Sequence, residues 1–316
     1  MIEAASLADL PCREAVPKLA LLGTGTVGSA FVARYQRLHR SERSLPRFAW
    51  LANSRVLRDC WLVRGVHVVT ANKLGNGGPG SRAAAIAGAR RQGQAHYGDS
   101  ATVGAGLPLL HSLRTLVAGG DRIHRVEGVL SGSLAWLFGR YDASTPFSVL
   151  VREALALGLT EPDPRVDLSG EDVRRKLLIL ARAAGLERFT REERLAGTAR
   201  VHSLVPPALA ALSPGEALDA LPLLDAPLAE RFRQACAEGA RLGFVGCIDQ
   251  AGAQVGLRSL GPDHPLCGGA GTDNRVAIFS DRYREQPLLI QGPGAGAEVT
   301  AAALMDDVLR ITGLPA

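Results

Sequence analysis

The chain has 316 residues, 47% apolar and 21% charged. That is enough for two domains with real cores, and it excludes a disordered tail, a coiled coil and a collagen-like fibre. The net charge of +5, from 36 basic and 31 acidic residues, is spread along the chain without a lysine-rich run. Nucleic acid is therefore not implied, and an anionic cofactor is a sufficient partner. Five cysteines, Cys12, Cys60, Cys236, Cys247 and Cys267, show no CxxC spacing. This argues against a disulfide framework or a zinc site and suits a reducing cytoplasm. The opening segment lacks an apolar signal core, and no uncharged apolar run approaches the ~18 residues of a membrane span, so neither a signal peptide nor a membrane partner is expected.

After a loose leader over 1–17, Lys18–Leu22 reads as a short buried strand running into Gly23-Thr24-Gly25-Thr26-Val27-Gly28. The next twelve residues have helical spacing, with Phe31, Val32 and Tyr35 on one side. Strand, G-x-G-x-x-G and helix is the context a dinucleotide fingerprint requires. Arg47–Ala52 reads as a second strand ending in Asn53-Ser54-Arg55, and Val66–Thr70 as a third ending in Ala71-Asn72-Lys73. A glycine-rich turn over Gly75–Gly80 leads to an Ala-rich helix ending near Gln92, then to the glycine-studded segment Ser100–Pro108. Helices are expected over Leu109–Ala118, Ser131–Tyr141, 147–158, 170–184 and about 226–242. Strands are expected over Ile123–Leu130, 243–249, 253–259, Asn274–Ser280 and Pro287–Gln291, with Pro-rich loops elsewhere in 190–265. Gly292–Gly296 then opens a closing helix, Val299–Thr312.

In the fingerprint, the first glycine makes the turn, the second admits the pyrophosphate, and the third packs helix against strand. The second strand ends without the carboxylate that would bind a ribose 2′-hydroxyl. Arg55 there reads equally as a solvated cation or as the partner of a 2′-phosphate, and the reading leans to NADP over NAD. Lys73, at the carboxyl end of a strand, is either a loop cation or an active-site cation. The stretch Glu161-Pro-Asp163-Pro-Arg-Val-Asp167 combines two prolines, which stop any helix after Glu161 and stiffen the loop, with three carboxylates suited to a substrate ammonium group. Asp172 and Lys176 share one helix face at i,i+4. They are either a surface ion pair or a carboxylate orienting a lysine that exchanges a proton with a carbonyl or hydroxyl oxygen. The segment Val103-Gly-Ala105-Gly-Leu107-Pro108 reads as a glycine-rich turn or as backbone carbonyls around a monovalent cation. No chemistry is assigned to the scattered histidines.

In order along the chain, LLGTGTVGSAF, VVTANK, SATVGAGLP, GVLSGSLAWLFG, GLTEPDPRVDLSGEDVRRKLLILAR and GPGAGAEVTAA resemble homoserine dehydrogenase. Within that family they are most like the dehydrogenase half of the bacterial fused aspartokinase–homoserine dehydrogenases. The resemblance runs from about Lys18 to Ile311. It implies an α/β protein with a Rossmann-type nucleotide-binding domain (1–98 and 292–316) and an α+β catalytic and dimerisation domain (99–291) that forms a homodimer. The implied activity is the NAD(P)-dependent interconversion of L-aspartate 4-semialdehyde and L-homoserine in threonine, methionine and isoleucine biosynthesis. Carried over by position, Lys176 is the proton donor, Asp172 its partner, and Lys73 the lysine between cofactor and substrate. Glu161 binds the substrate amino group, with Asp167 nearby. Gly23, Thr24, Gly25, Thr26, Val27, Gly28, Gly158 and Gly296 approach the cofactor, and the carbonyls of Val103, Ala105 and Leu107 hold a sodium ion.

The chain departs from the family in two places. Ser100 stands where an acidic residue or close equivalent is usual, with Asp99 one place off. Between Asn53-Ser54-Arg55 and Val66 only Val56–Gly65 remains, a shortage of roughly one βαβ step. Arg58-Asp59-Cys60 reads as the remnant of the lost strand. The shortage keeps two other readings open: an impaired homologue that folds and dimerises without turnover, and another NADP-linked small-molecule dehydrogenase.

Overall fold

The computed structural model describes residues 18–22, 25–40, 45–52, 59–186, 199–269 and 271–313. The apolar run β1 (Lys18–Leu22), the glycine turn and α1 (Thr26–Arg40) lead into β2 (Arg47–Ala52), which pairs with β1 in parallel. This is the β–α–β step expected from the sequence. A short helix follows, α2 (Asp59–Val63), then β3 (Val68–Val69), α3 (Gly80–Gln92) and β4 (Tyr97–Gly98). Next come α4 (Leu109–Ala118), β5 (Ile123–Val129), α5 (Gly132–Arg140), α6 (Phe147–Ala156), α7 (Arg165–Leu168) and α8 (Glu171–Ala183). The remainder is β6 (Ala199–Val201), α9 (Pro207–Ala210), α10 (Pro214–Asp219), α11 (Asp225–Ala237), β7 (Arg241–Asp249), β8 (Ala253–Leu260), β9 (Asp273–Ser280), β10 (Leu288–Pro293) and α12 (Ala297–Thr312).

Strands β10-β9-β5-β7-β8-β6 form one six-stranded sheet, antiparallel except for β6 against β8. Its side chains alternate between faces, as a pleated strand requires. Phe244, Val276 and Ile278 point into the main core with Leu113, Leu137, Phe147, Leu177 and Leu180. Val245 and Ala277 point the other way, under Leu266 of the connection after β8. A separate apolar cluster joins Ala30 and Phe31 of α1 to Ala301, Met305, Val308 and Leu309 of α12, so the last helix packs on the first. No helix among the described residues is long and apolar enough to cross a membrane.

Several expectations change. The third strand shrinks to Val68–Val69, because its partner β4 offers only Tyr97 and Gly98. Asp59 and Cys60 lie in α2 and not in a residual strand; that helix buries Leu62 beside Ile86, Ala89 and Tyr97. The parallel pairs β1–β2 and β3–β4 are separate ladders among the described residues. β10 runs on through Gly292 and Pro293, past the expected end at Gln291, and Gly296 then caps the closing helix α12. Proline is tolerated there because β10 is an edge strand. The prolines after Glu161 do not exclude a helix either: α7 starts immediately after Pro164, at the helix entrance where a missing N–H costs nothing. In the Pro-rich region, α9 and α10 carry proline in their first turn in the same way.

Candidate active site on helix α8

Helix α8 begins at Gly170, whose left-handed φ of +76° and whose Cβ-free approach to the Phe244 ring both require glycine. This start sets Asp172 and Lys176 on one face. Lys176 is only 8% exposed. Its Nζ lies 2.9 Å from Asp172 Oδ2 and donates to the Leu130 carbonyl at the end of β5 at 2.8 Å. Lys73, in the turn after β3, places its Nζ 3.3 Å from the other oxygen, Asp172 Oδ1. The Asp172 side chain keeps 41% of its surface exposed, so the triad opens towards solvent. Burial pushes the Lys176 amine down from its ordinary pKa; Asp172 opposes this and Lys73 reinforces it. Burial works against ionising Asp172, but the combined attraction of Lys176 and Lys73 prevails and its pKa lies below the usual value.

The proline loop supplies the second half. Asp167 Oδ1 accepts from the Ser133 hydroxyl at 2.7 Å and Oδ2 from the Glu161 backbone N–H at 2.8 Å, leaving the Glu161 side chain exposed. Asp163 is not part of an ammonium cage: Arg165 grips its carboxylate through Nε and NH2 and also holds the Leu209 and Leu212 carbonyls. Of the three carboxylates in that loop, Asp167 is tied to the start of α5 through Ser133 and to the Glu161 backbone, and Glu161 stays exposed.

Among the fingerprint residues, Gly25 and Thr26 are exposed at the start of α1, a 15-residue helix with no acidic residue in its first turn. Val27 and Gly28 lie within that first turn. Gly23, Thr24 and Arg55 lie outside the described residues. Gly158 (φ +68°) follows α6 and Gly296 (φ +125°) precedes α12, both in conformations that favour glycine. In the Val103–Leu107 loop, Gly104 and Ala105 are consecutive left-handed residues, and the Leu107 carbonyl already accepts from Leu109 N–H at 2.8 Å. Asp99 is fully buried and bound by Arg114 and Asn76, and the Ser100 N–H and hydroxyl both bind Asp307. Ser133, the Leu130 carbonyl, Arg114 and Asn76 were not singled out by sequence reasoning, and Asp99 was noted only as the acid one place from Ser100. The local signal for Ser133 is its place at the start of the helix expected over Ser131–Tyr141.

Residues 108–309 match the family model of homoserine dehydrogenase. The chain is 42% identical, over 274 residues, to a chloroplastic bifunctional aspartokinase/homoserine dehydrogenase 1 of Zea mays. That match covers 82% of this chain and 29% of the relative, so the chain spans less than a third of that relative's length. A crystal structure of a Candida auris protein of unknown function superposes with a TM-score of 0.82 at 30% identity, covering 94% of this chain and 98% of that one. A hyperthermophilic archaeal homoserine dehydrogenase in complex with NADPH shares the fold, with a TM-score of 0.65 at 18% identity over 95% of this chain and 98% of that one. The chain belongs to the homoserine dehydrogenase family.

Proposed function

We propose that the chain interconverts L-homoserine and L-aspartate 4-semialdehyde with NADP or NAD, and that Lys176 is its acid–base residue. The observation that carries this reading is a buried lysine held between the Asp172 carboxylate and the Leu130 carbonyl. Two fixed acceptors aim its third N–H bond, and burial lowers its proton affinity towards the range useful for catalysis. In homoserine oxidation the neutral amine takes the hydroxyl proton; in the reverse direction the ammonium returns it to the aldehyde oxygen. Asp172 keeps the amine oriented, Glu161 takes the substrate ammonium group, and Asp167 holds the Glu161 backbone in place.

The residues present fit a dinucleotide. The exposed start of α1 has no acidic residue in its first turn to oppose an anion, and among the described residues nothing stands within 4 Å of a Cβ built at Gly25. The nicotinamide, when bound, supplies the hydride acceptor or donor. Gly158 and Gly296 allow close backbone approach, and Arg55 is assigned to a 2′-phosphate. Residues 1–98 with 292–316 form the nucleotide-binding unit in this reading, a division supported by the α1–α12 cluster. Residues 99–291 form the catalytic unit, which dimerises through its sheet. The left-handed turn at Gly104 and Ala105 supports a sodium ion on the Val103, Ala105 and Leu107 carbonyls.

The test is the purified chain incubated with L-homoserine and NADP+ or NAD+, followed by absorbance. Steady NADPH or NADH formation supports the reading. No reduced nucleotide with either, together with no shift in thermal midpoint on adding NADP+, overturns it.

A further inference from the structure

The loop carrying Lys73 is fastened to the same helix that carries Lys176. Within it, Gly77 N–H closes back on the Lys73 carbonyl at 2.7 Å. Gly77 itself lies on α8: a Cβ there would stand 2.9 Å from the Arg175 carbonyl and 3.2 Å from Ile179 Cδ1. From the last turn of α8, Arg182 donates one guanidinium nitrogen to the Asn76 carbonyl and the other to the Gly78 carbonyl, the latter at 3.0 Å. The Asn76 side chain donates to Asp99 at 2.7 Å, and that buried carboxylate is held in a bidentate grip by Arg114. Positions 172, 175, 179 and 182 recur at the spacing of one helix face. One face of α8 therefore contacts Lys73 itself at its first turn and the loop behind Lys73 at its last.

We propose that Arg182, seconded by Gly77 and the Asn76–Asp99 pair, is a positioning residue that sets the distance between Lys73 and Asp172. Its effect on proton transfer runs through Lys73. With the loop seated, Lys73 shares the Asp172 carboxylate with Lys176 and repels its charge. With the loop released, Asp172 serves Lys176 alone. A planar fork with two donors is what two carbonyls in one turn require, so lysine replaces it only in part. The proposal rests on the reading of Lys73 as a site residue.

The experiment compares the full chain with Arg182→Gln, Arg182→Lys and Gly77→Ala, which pushes the loop outward while leaving Arg182 intact. The chain contains three lysines, Lys18, Lys73 and Lys176, so acylation of Lys73 by an amine-selective reagent is followed cleanly by peptide mass spectrometry with Lys18 as reference. Arg182→Gln and Gly77→Ala should acylate Lys73 several-fold faster than wild type, with Arg182→Lys between. For homoserine oxidation they should lower kcat by about tenfold, within the range of a small misplacement. They should also move the rising limb of the kcat/KM profile to higher pH. Wild-type Lys73 acylation in Arg182→Gln overturns the proposal, as does an unshifted pH profile beside a lowered thermal midpoint. If Arg182→Gln does not fold, Gly77→Ala decides by the same two readouts. If the wild type turns over no homoserine, the acylation arm alone still decides, so failure of the activity and failure of the positioning role are told apart.

Discussion

Lys176 and Leu130 are 46 positions apart, and the lysine Nζ donates to the leucine carbonyl at 2.8 Å. That bond ties the middle of α8 to the end of the central strand β5. It fixes the amine where β5 ends, between the strand and the Asp172 carboxylate.

Replacing Lys176 with Met tests this amine. The side chain keeps its volume and loses its proton, so kcat should fall by at least ~10²-fold, the lower end of a general acid–base contribution. NADPH affinity, read by fluorescence titration, should stay within a few-fold of wild type. The thermal midpoint should fall, since Met removes one partner of the pair, leaving Asp172 to Lys73 alone and the Leu130 carbonyl without its donor. Surviving turnover would remove Lys176 from its role.

The two neighbours of Lys176 should move its titration in opposite directions. Asp172 raises the lysine pKa and Lys73 lowers it. Asp172→Asn should therefore shift the rising limb of homoserine oxidation to lower pH, and Lys73→Met should shift it to higher pH. Shifts of the same sign would contradict the arrangement. Stability follows the same linkage. The depressed pKa of Asp172 stabilises the fold above about pH 3.9, the unperturbed value, and this is lost as pH falls. The lowered pKa of Lys176 makes its contribution grow as pH rises from its folded value towards ~10.4. Midpoints of Lys176→Met against pH should lack that alkaline gain.

Glu161 and Asp167 should separate by kinetic signature. The Glu161 side chain is exposed, so Glu161→Gln should raise KM for homoserine about tenfold, a loss of roughly 1.4 kcal/mol, with the thermal midpoint unchanged. Asp167 is bonded to both Ser133 and the Glu161 backbone. Asp167→Asn loses charge and one acceptor, and should lower the midpoint as well as raise KM. Equal midpoints for both variants would show that Asp167 does not organise the loop.

Gly294 offers a stability test away from the lysines. A Cβ there would overlap the carboxamide of Asn274, which is 1% exposed and whose amide atoms have no hydrogen-bond partner among the described residues. Gly294→Ala should destabilise by about 1–3 kcal/mol, as overpacking does, read from denaturant midpoints. Adding Asn274→Ala should recover much of that loss. A double variant no better than the single one would show that the clash lies elsewhere.

The local chemistry was legible in the sequence. Lys18–Leu22 and the helix after Gly25 follow from an apolar run, a glycine turn and 3.6-residue spacing. Asp172 and Lys176 are four residues apart on one helix, so a helix alone makes them neighbours. The family resemblance carried by the stretch around Asp172 and Lys176 agrees with the match over residues 108–309. Tertiary structure decided the rest, because those contacts join positions far apart in the chain. It made Lys73 the second partner of Asp172, seated Arg165 on the Leu209 and Leu212 carbonyls, and buried Asp99 against Arg114 and Asn76. It also decided where strands stop. A strand lasts only as long as a neighbour supplies hydrogen bonds, so the third strand shrank to Val68–Val69 and β10 ran on to Pro293. Spacing along the chain cannot show which partner lies alongside; only packing of the whole fold supplies it.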